Sequence, residues 1–160
     1  MNRRKFLAVG GLGLGTGGYL AWNRFQSPSI PDGMTVETLY LERNVFDPRD
    51  VFALREESYT LIADEETAAR ELDDVEQVSA FSHETDFDES YILVVQNGMR
   101  SEDDLELDAI ERTEDGIQVA VSIDQPLIPD HDDLITHSLL IRITDEKTVP
   151  DSIDVSIAGY

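Results

Sequence analysis

Hydrophobic positions over most of this chain fall into short alternating runs, with little helical spacing. Residues 36–42 (VETLYLE) set Val36, Thr38 and Tyr40 against Glu37, Leu39 and Leu41, which predicts a strand. Residues 59–62 give a second, shorter strand. Asp64 can cap a helix running through about Leu72, because E-E-T-A-A-R-E-L holds good helix formers with acids in the first turn. Leu72, Val75 and Val78 would continue its buried side. Residues 91–96 (YILVVQ) form a continuous apolar run of strand length, the mark of a central strand covered on both faces.

Further along, Leu105, Leu107 and Ala109 alternate and Ile110 breaks step, which marks a bulge. Glu114-Asp115-Gly116 then leads into alternating Ile117, Val119, Val121 and Ile123. Asp-Gly between two alternating runs predicts a hairpin, here with a loop longer than two residues. Residues 139–144 and the set Ile153, Val155 and Ile157 supply the last strands. The pattern predicts a mainly β fold, α+β at most. Its form is an antiparallel sandwich or a barrel-like sheet with one short helix.

The first 25 residues follow a different rule. Seventeen uncharged residues, 6–22, come after Arg3, Arg4 and Lys5 and end at Asn23 and Arg24. A helix of that length reaches about 25 Å, short of a hydrocarbon core of about 30 Å. Six of the seventeen are glycine, which weakens the helix further. A charged start and a short, mildly apolar centre are the anatomy of an export signal. Arg3, Arg4, Phe6 and Leu7 resemble the twin-arginine (Tat) consensus, with Asn2 where Ser or Thr is usual and Ala8 where Lys is common. The resemblance implies a passenger that folds before crossing the membrane and meets the Tat translocase on the way. Residues 13–18 (GLGTGG) also fit G-x-G-x-x-G, but no strand precedes them, so they are not read as a nucleotide loop.

No A-x-A-like cleavage site lies near residues 19–25, and the chain has no cysteine to accept a lipid. The signal is therefore either removed or retained as an anchor, with membrane contact confined to residues 6–22. Residues 26–35, around S-P-S-I-P-D-G, read as a linker. Residues 36–160 read as one extracytoplasmic β-rich domain.

Charge changes the picture of the solvent. Beyond residue 25 the chain holds eight Lys and Arg against 34 Asp and Glu, a net charge of −26. These acids are spread along the chain and alternate with Val, Ile and Leu. That pattern describes a solvated acidic surface over a core, as in a protein adapted to molar salt, and not a disordered acidic tail. No basic stripe exists for phosphate contacts, so nucleic acid is excluded as a partner. Without cysteine, neither a disulfide framework nor a thiolate metal site can form.

Residues 61–157 resemble the C-terminal domain of the PrcB family of protease-complex stabilising proteins. The features that carry this are a strand leading into a helix, Asp86-Phe87 ahead of YILVVQ and Gly98, and strand pairs such as LELDAIERTEDGIQVAVSI. Ser101-Glu102-Asp103-Asp104 stands where that family has a Gly-Gly-Tyr segment. The resemblance implies an extracytoplasmic β-rich binding module with nothing catalytic.

The densest set of candidate ligands is Asp130, His131, Asp132, Asp133 and His137. The two histidines are six apart, which suits neither an H-E-x-x-H helix nor an alternating strand face. Leu134 and Ile135 fall where a calcium loop needs Asp or Asn and Gly. The run therefore reads as a solvated loop, with loose cation binding by Asp130, Asp132 and Asp133 as the functional alternative. Residues 82–88 (SHETDFD) offer a hydroxyl, an imidazole and carboxylates, but read as a polar loop ahead of the central strand. The expectation is a non-enzymatic interaction or structural module with no cofactor and an unidentified protein partner. The rival is a metal-dependent hydrolase built on the cluster at 130–137.

Overall fold

A computed structural model describes residues 27–160 apart from Pro48, Pro129 and Thr148. The export-signal residues Arg3, Arg4, Phe6 and Leu7, and the span 6–22, lie outside the described residues. Seven strands and two short helices follow one another as β1 (Met34–Leu41), β2 (Glu57–Ile62), α1 (Glu65–Glu71), α2 (Glu76–His83), β3 (Ser90–Arg100), β4 (Asp104–Arg112), β5 (Gly116–Asp124), β6 (Leu134–Asp145) and β7 (Ser152–Ala158). They form two sheets, a four-stranded one in the order β1-β6-β3-β2 and a three-stranded one in the order β4-β5-β7. The fold is mainly β, and neither sheet closes into a barrel.

The continuous apolar runs explain the layering. Along β3, Tyr91, Leu93, Val95 and Met99 face the three-stranded sheet and meet Leu105, Leu107, Ile110, Val119 and Val121. The alternate residues Ile92 and Val94 face the other way, onto Val45, Ile62, Ala68, Val78 and Leu140 beneath the helices. A strand buried on both faces has no polar side to show, so its sequence cannot alternate.

On β4 the step broken by Ile110 is a bulge, where the register with β5 shifts between Leu107 and Ala109. The extra residue, Asp108, turns outward, and Ile110 in place of Ala109 enters the core. The linker is not free of the domain. Ser29 donates to the Asp108 carbonyl at 2.9 Å and accepts from the Ile110 N–H at 2.8 Å, and Ile30 packs on the inter-sheet core.

Two features differ from the sequence reading. First, β5 and β7 are parallel. β5 runs to one end of the sandwich and β6 returns in the opposite sheet, so β7 must start where β5 starts. Second, the helical stretch is two helices. Asp64 caps α1 as its sequence suggests, accepting from the Thr67 N–H at 2.7 Å. The chain then breaks, because Asp73 donates its N–H to the Val45 carbonyl at 2.6 Å and binds Arg43 Nη2 through its carboxylate at 2.6 Å. α2 restarts at Glu76. Buried Arg142 on β6 holds the end of α2, donating to the Phe81 carbonyl at 2.9 Å and to Thr85 Oγ1 at 3.0 Å.

Candidate functional site

β1, β3, β5 and β7 finish, and β2, β4 and β6 start, at one end of the sandwich, here called the loop end. The apolar core gives way there to a polar layer. Glu57 pairs with Asn97, and Asn97 with His137, in one row across β2, β3 and β6. Asn97 and His137 share the inward face with Val95 and Leu139, so both are fully buried.

His137 is committed to internal bonds. Its Nε2 lies 2.9 Å from the Arg100 carbonyl, which can only accept, so Nε2 carries the proton. Nδ1 of the neutral ring then accepts from the Tyr40 hydroxyl, and the two rings lie nearly parallel at 17°. The Tyr40 oxygen also sits 3.0 Å from the Asp103 carbonyl, and its single proton serves one acceptor at a time. Burial pushes the His137 imidazole down to about 4, against hydrogen bonds to the Arg100 and Met99 carbonyls that favour the charged form. The Tyr40 phenol is raised, first by burial and then by the Asp104 charge. Burial likewise raises the Asp103, Asp104 and Glu42 carboxyls. Perturbed groups thus gather at the loop end, as they do at many functional sites.

The other end of the polar row is equally engaged. Asn97 Nδ2 donates to the Tyr160 hydroxyl at 2.7 Å, and that hydroxyl donates to Glu57. Burial, followed by the bond to Glu57, pushes the Tyr160 phenol up to about 12. Asn97 Oδ1 is buried with no partner among the described residues.

A cleft of about 170 Å³ opens beside this layer, lined among others by Leu54, Arg55, Arg100, Ile123, Gln125 and Tyr160. A close crossing builds its wall at Leu54 and Arg55. The loop before β2 runs over Gly98, where a Cβ would lie 2.0 Å from the Ala53 carbonyl oxygen. Arg55 donates its N–H to the Gly98 carbonyl at 2.7 Å, adopts a φ of 65°, and sets its guanidinium 5.2 Å from the Tyr160 ring centroid.

Buried polar side chains pin that loop from beneath. Asn44 Oδ1 accepts from Gln96 Nε2 at 3.0 Å and from the Phe46 N–H at 2.9 Å. Thr136 Oγ1 accepts from the Phe52 N–H at 2.8 Å. Beside their charged residues these loops also present apolar side chains outward. Val51, Leu54, Leu127 and Ile128 are all largely exposed, Leu127 completely so at 102%.

The ligand cluster read from sequence divides. Asp130, His131, Asp132 and Asp133 lie exposed on the loop between β5 and β6, while His137 is inside β6. Asp132 pairs with Arg100 at 2.8 Å, and the Asp130 N–H donates to Glu102 at 2.8 Å. Among the described residues, no three His, Cys, Asp or Glu side chains are grouped to hold a metal ion. Of residues 82–88, Ser82 and His83 end α2, and Thr85 is buried against Arg142. Sequence reasoning passed over Tyr40, Asn97 and Tyr160. The one available signal was Gln96-Asn97-Gly98, a polar close to an otherwise apolar run.

No protein-family model matches the chain, and neither a curated protein nor a solved structure is significantly similar to it.

Proposed function

We propose that the chain is a membrane-tethered, extracytoplasmic binding module without enzymatic activity, and that the loop end is its binding face. One observation carries this reading. Val51, Leu54, Leu127 and Ile128 are exposed on the loops at the cleft end, and the polar layer behind the cleft spends the Tyr40 and Tyr160 hydroxyls and both His137 ring nitrogens on internal bonds. Such a face offers apolar contact and fixed shape to a partner. The resemblance of residues 61–157 to a protease-complex stabilising domain agrees with a binding role. The net charge of −26 beyond residue 25 suits a surface that works in molar salt. The tether in this reading is residues 6–22, the apolar run of the export signal; no helix among the described residues is long and apolar enough to cross a membrane.

The hydrolase reading requires His137 and the loop acids to share a metal, and the burial of His137 counts against it. Expression of the full-length chain in a salt-adapted host tests the proposal. Replacing Arg3 and Arg4 by Lys should leave the protein in the cytoplasm, and unchanged export would defeat the Tat assignment. A tight, stoichiometric metal in the purified chain would favour the hydrolase instead.

A further inference from the structure

The direction in which the chain reaches the sheet bears on what the loop end faces. Ser29 pairs in parallel with Ala109 on β4, and β4 starts at the loop end and runs away from it. The chain before Ser29 therefore arrives from the loop end. Ile30 packs on the inter-sheet core and fixes this arrival to the body of the domain. Between Trp22, the last residue of the apolar run, and Ser27 lie only residues 23–26. A trans backbone covers at most about 3.6 Å per residue, so this link spans no more than about 18 Å. An anchor ending at Trp22 would hold the loop end close to the surface it enters.

The loops at that end are unusual for this chain. Residues 51–54 (VFAL) and 125–129 (QPLIP) carry no charge in a sequence with 34 acids. Leu54 of the first and Gln125 of the second both line the cleft. Val51, Leu54, Leu127 and Ile128 project outward from them. Behind these tips the Asp132 charge is paired with Arg100. In molar salt the remaining acids act over only about 3 Å, so anionic headgroups repel them weakly while apolar insertion persists.

We infer that the loop end docks on the lipid surface beside the anchor, with Leu127 and Ile128 entering the headgroup region. The inference rests on the tethered reading above. A short link makes the contact intramolecular, so a weak apolar insertion is enough to hold it.

The chain has no cysteine, so single-site labelling is unambiguous. Full-length Ile128→Cys and Glu114→Cys variants, the latter on the exposed hairpin tip at the opposite end, would carry a polarity-sensitive fluorophore. Each would be reconstituted with phosphatidylglycerol vesicles containing brominated lipid, in molar KCl. The expected result is flotation with the vesicles, blue-shifted and lipid-quenched emission at 128, and water-like emission at 114. Adding Leu127→Asp to Ile128→Cys should reduce the quenching several-fold with an unchanged circular-dichroism spectrum. Water-like emission at both positions on floating vesicles would overturn the docking and leave the tether standing. A blue shift at 128 without lipid quenching would place a protein or a second copy there, and would also overturn it. Failure to float would remove the tether and the docking together.

Discussion

Arg112 and Asp145 join the two sheets at the end opposite the cleft through a two-pronged ion pair. Nη1 donates to Oδ2 at 2.8 Å and Nη2 to Oδ1 at 2.7 Å, from β4 on one sheet to β6 on the other. The Asp145 side chain is buried and Arg112 keeps 24% of its surface. The guanidinium beside it holds the Asp145 carboxyl below its usual range. Asp145→Ala should cost roughly 2–3 kcal/mol. That is less than the about 3–5 kcal/mol of a fully buried pair, because the stranded arginine is partly wet. Denaturant titration in molar KCl measures it, and a change within about 0.5 kcal/mol would show the clamp to be idle.

Gly98→Ala attacks the wall of the cleft. Its Cβ would meet Ala53 carbonyl atoms at 2.0 and 2.9 Å and Phe52 Cβ at 2.9 Å, and backbone cannot step aside as a flexible side chain can. The loop must lift, losing the bond from the Arg55 N–H, at a cost of about 1–3 kcal/mol or more. Hydrogen exchange should speed up at Arg55 and Gly98. Protection equal to wild type would contradict the crossing.

His137 should give the fold an acid-sensitive component. Its pKa is about 4 when folded and about 6.5 when unfolded, so the unfolded chain takes up the proton first as pH falls. The contribution is fully present above about 6.5 and is lost between there and about 4, amounting to about 3 kcal/mol. Asp103, Asp104 and Glu42 work in the opposite sense, since carboxyls held up in the fold gain stability as pH falls. The clean measurement is a difference against His137→Gln in molar KCl. The wild-type advantage should shrink across that window, and a constant difference would refute the assignment.

Salt dependence is the broadest expectation. The 26 excess negative charges beyond residue 25 are brought closer on folding, against a net stability of typically about 5–15 kcal/mol. Screening reaches about 10 Å in 0.1 M salt and about 3 Å in 1 M. The domain should be compact in molar KCl and expanded in dilute buffer, by circular dichroism and gel filtration. Equal thermal midpoints in both would refute the halophilic reading.

Much of the fold was legible because single residues declare it. YILVVQ announces a strand buried on both faces, Ile110 announces the bulge at Asp108, and Asp64 announces the start of α1. What stayed hidden depends on partners far along the chain. The break between α1 and α2 needs Arg43 and Val45, about thirty residues earlier. β6 starts five residues before its apolar run because Thr136, His137 and Ser138 bury polar groups that bond to Phe52, Tyr40 and Arg43. The candidate site was obscured for the same reason. His137 looks like a ligand beside His131 and Asp133, and only the pairing with Asn97 and Tyr40 turns it inward.

The order β1-β6-β3-β2 also sets a timetable. β4 and β5 can close their hairpin as soon as Asp124 exists, but β1 finds its partner only between Ser138 and Asp145. Until those residues have been synthesised, the Leu39 and Tyr40 side of the central sheet has nothing to pair with. Long-range pairing of this kind folds slowly, on the order of milliseconds to seconds for β-rich domains, and leaves strand edges open meanwhile. A chain threaded through a pore from its N-terminus would present β1 alone and wait for β6. A chain released whole closes the sheet in one compartment, before any journey begins.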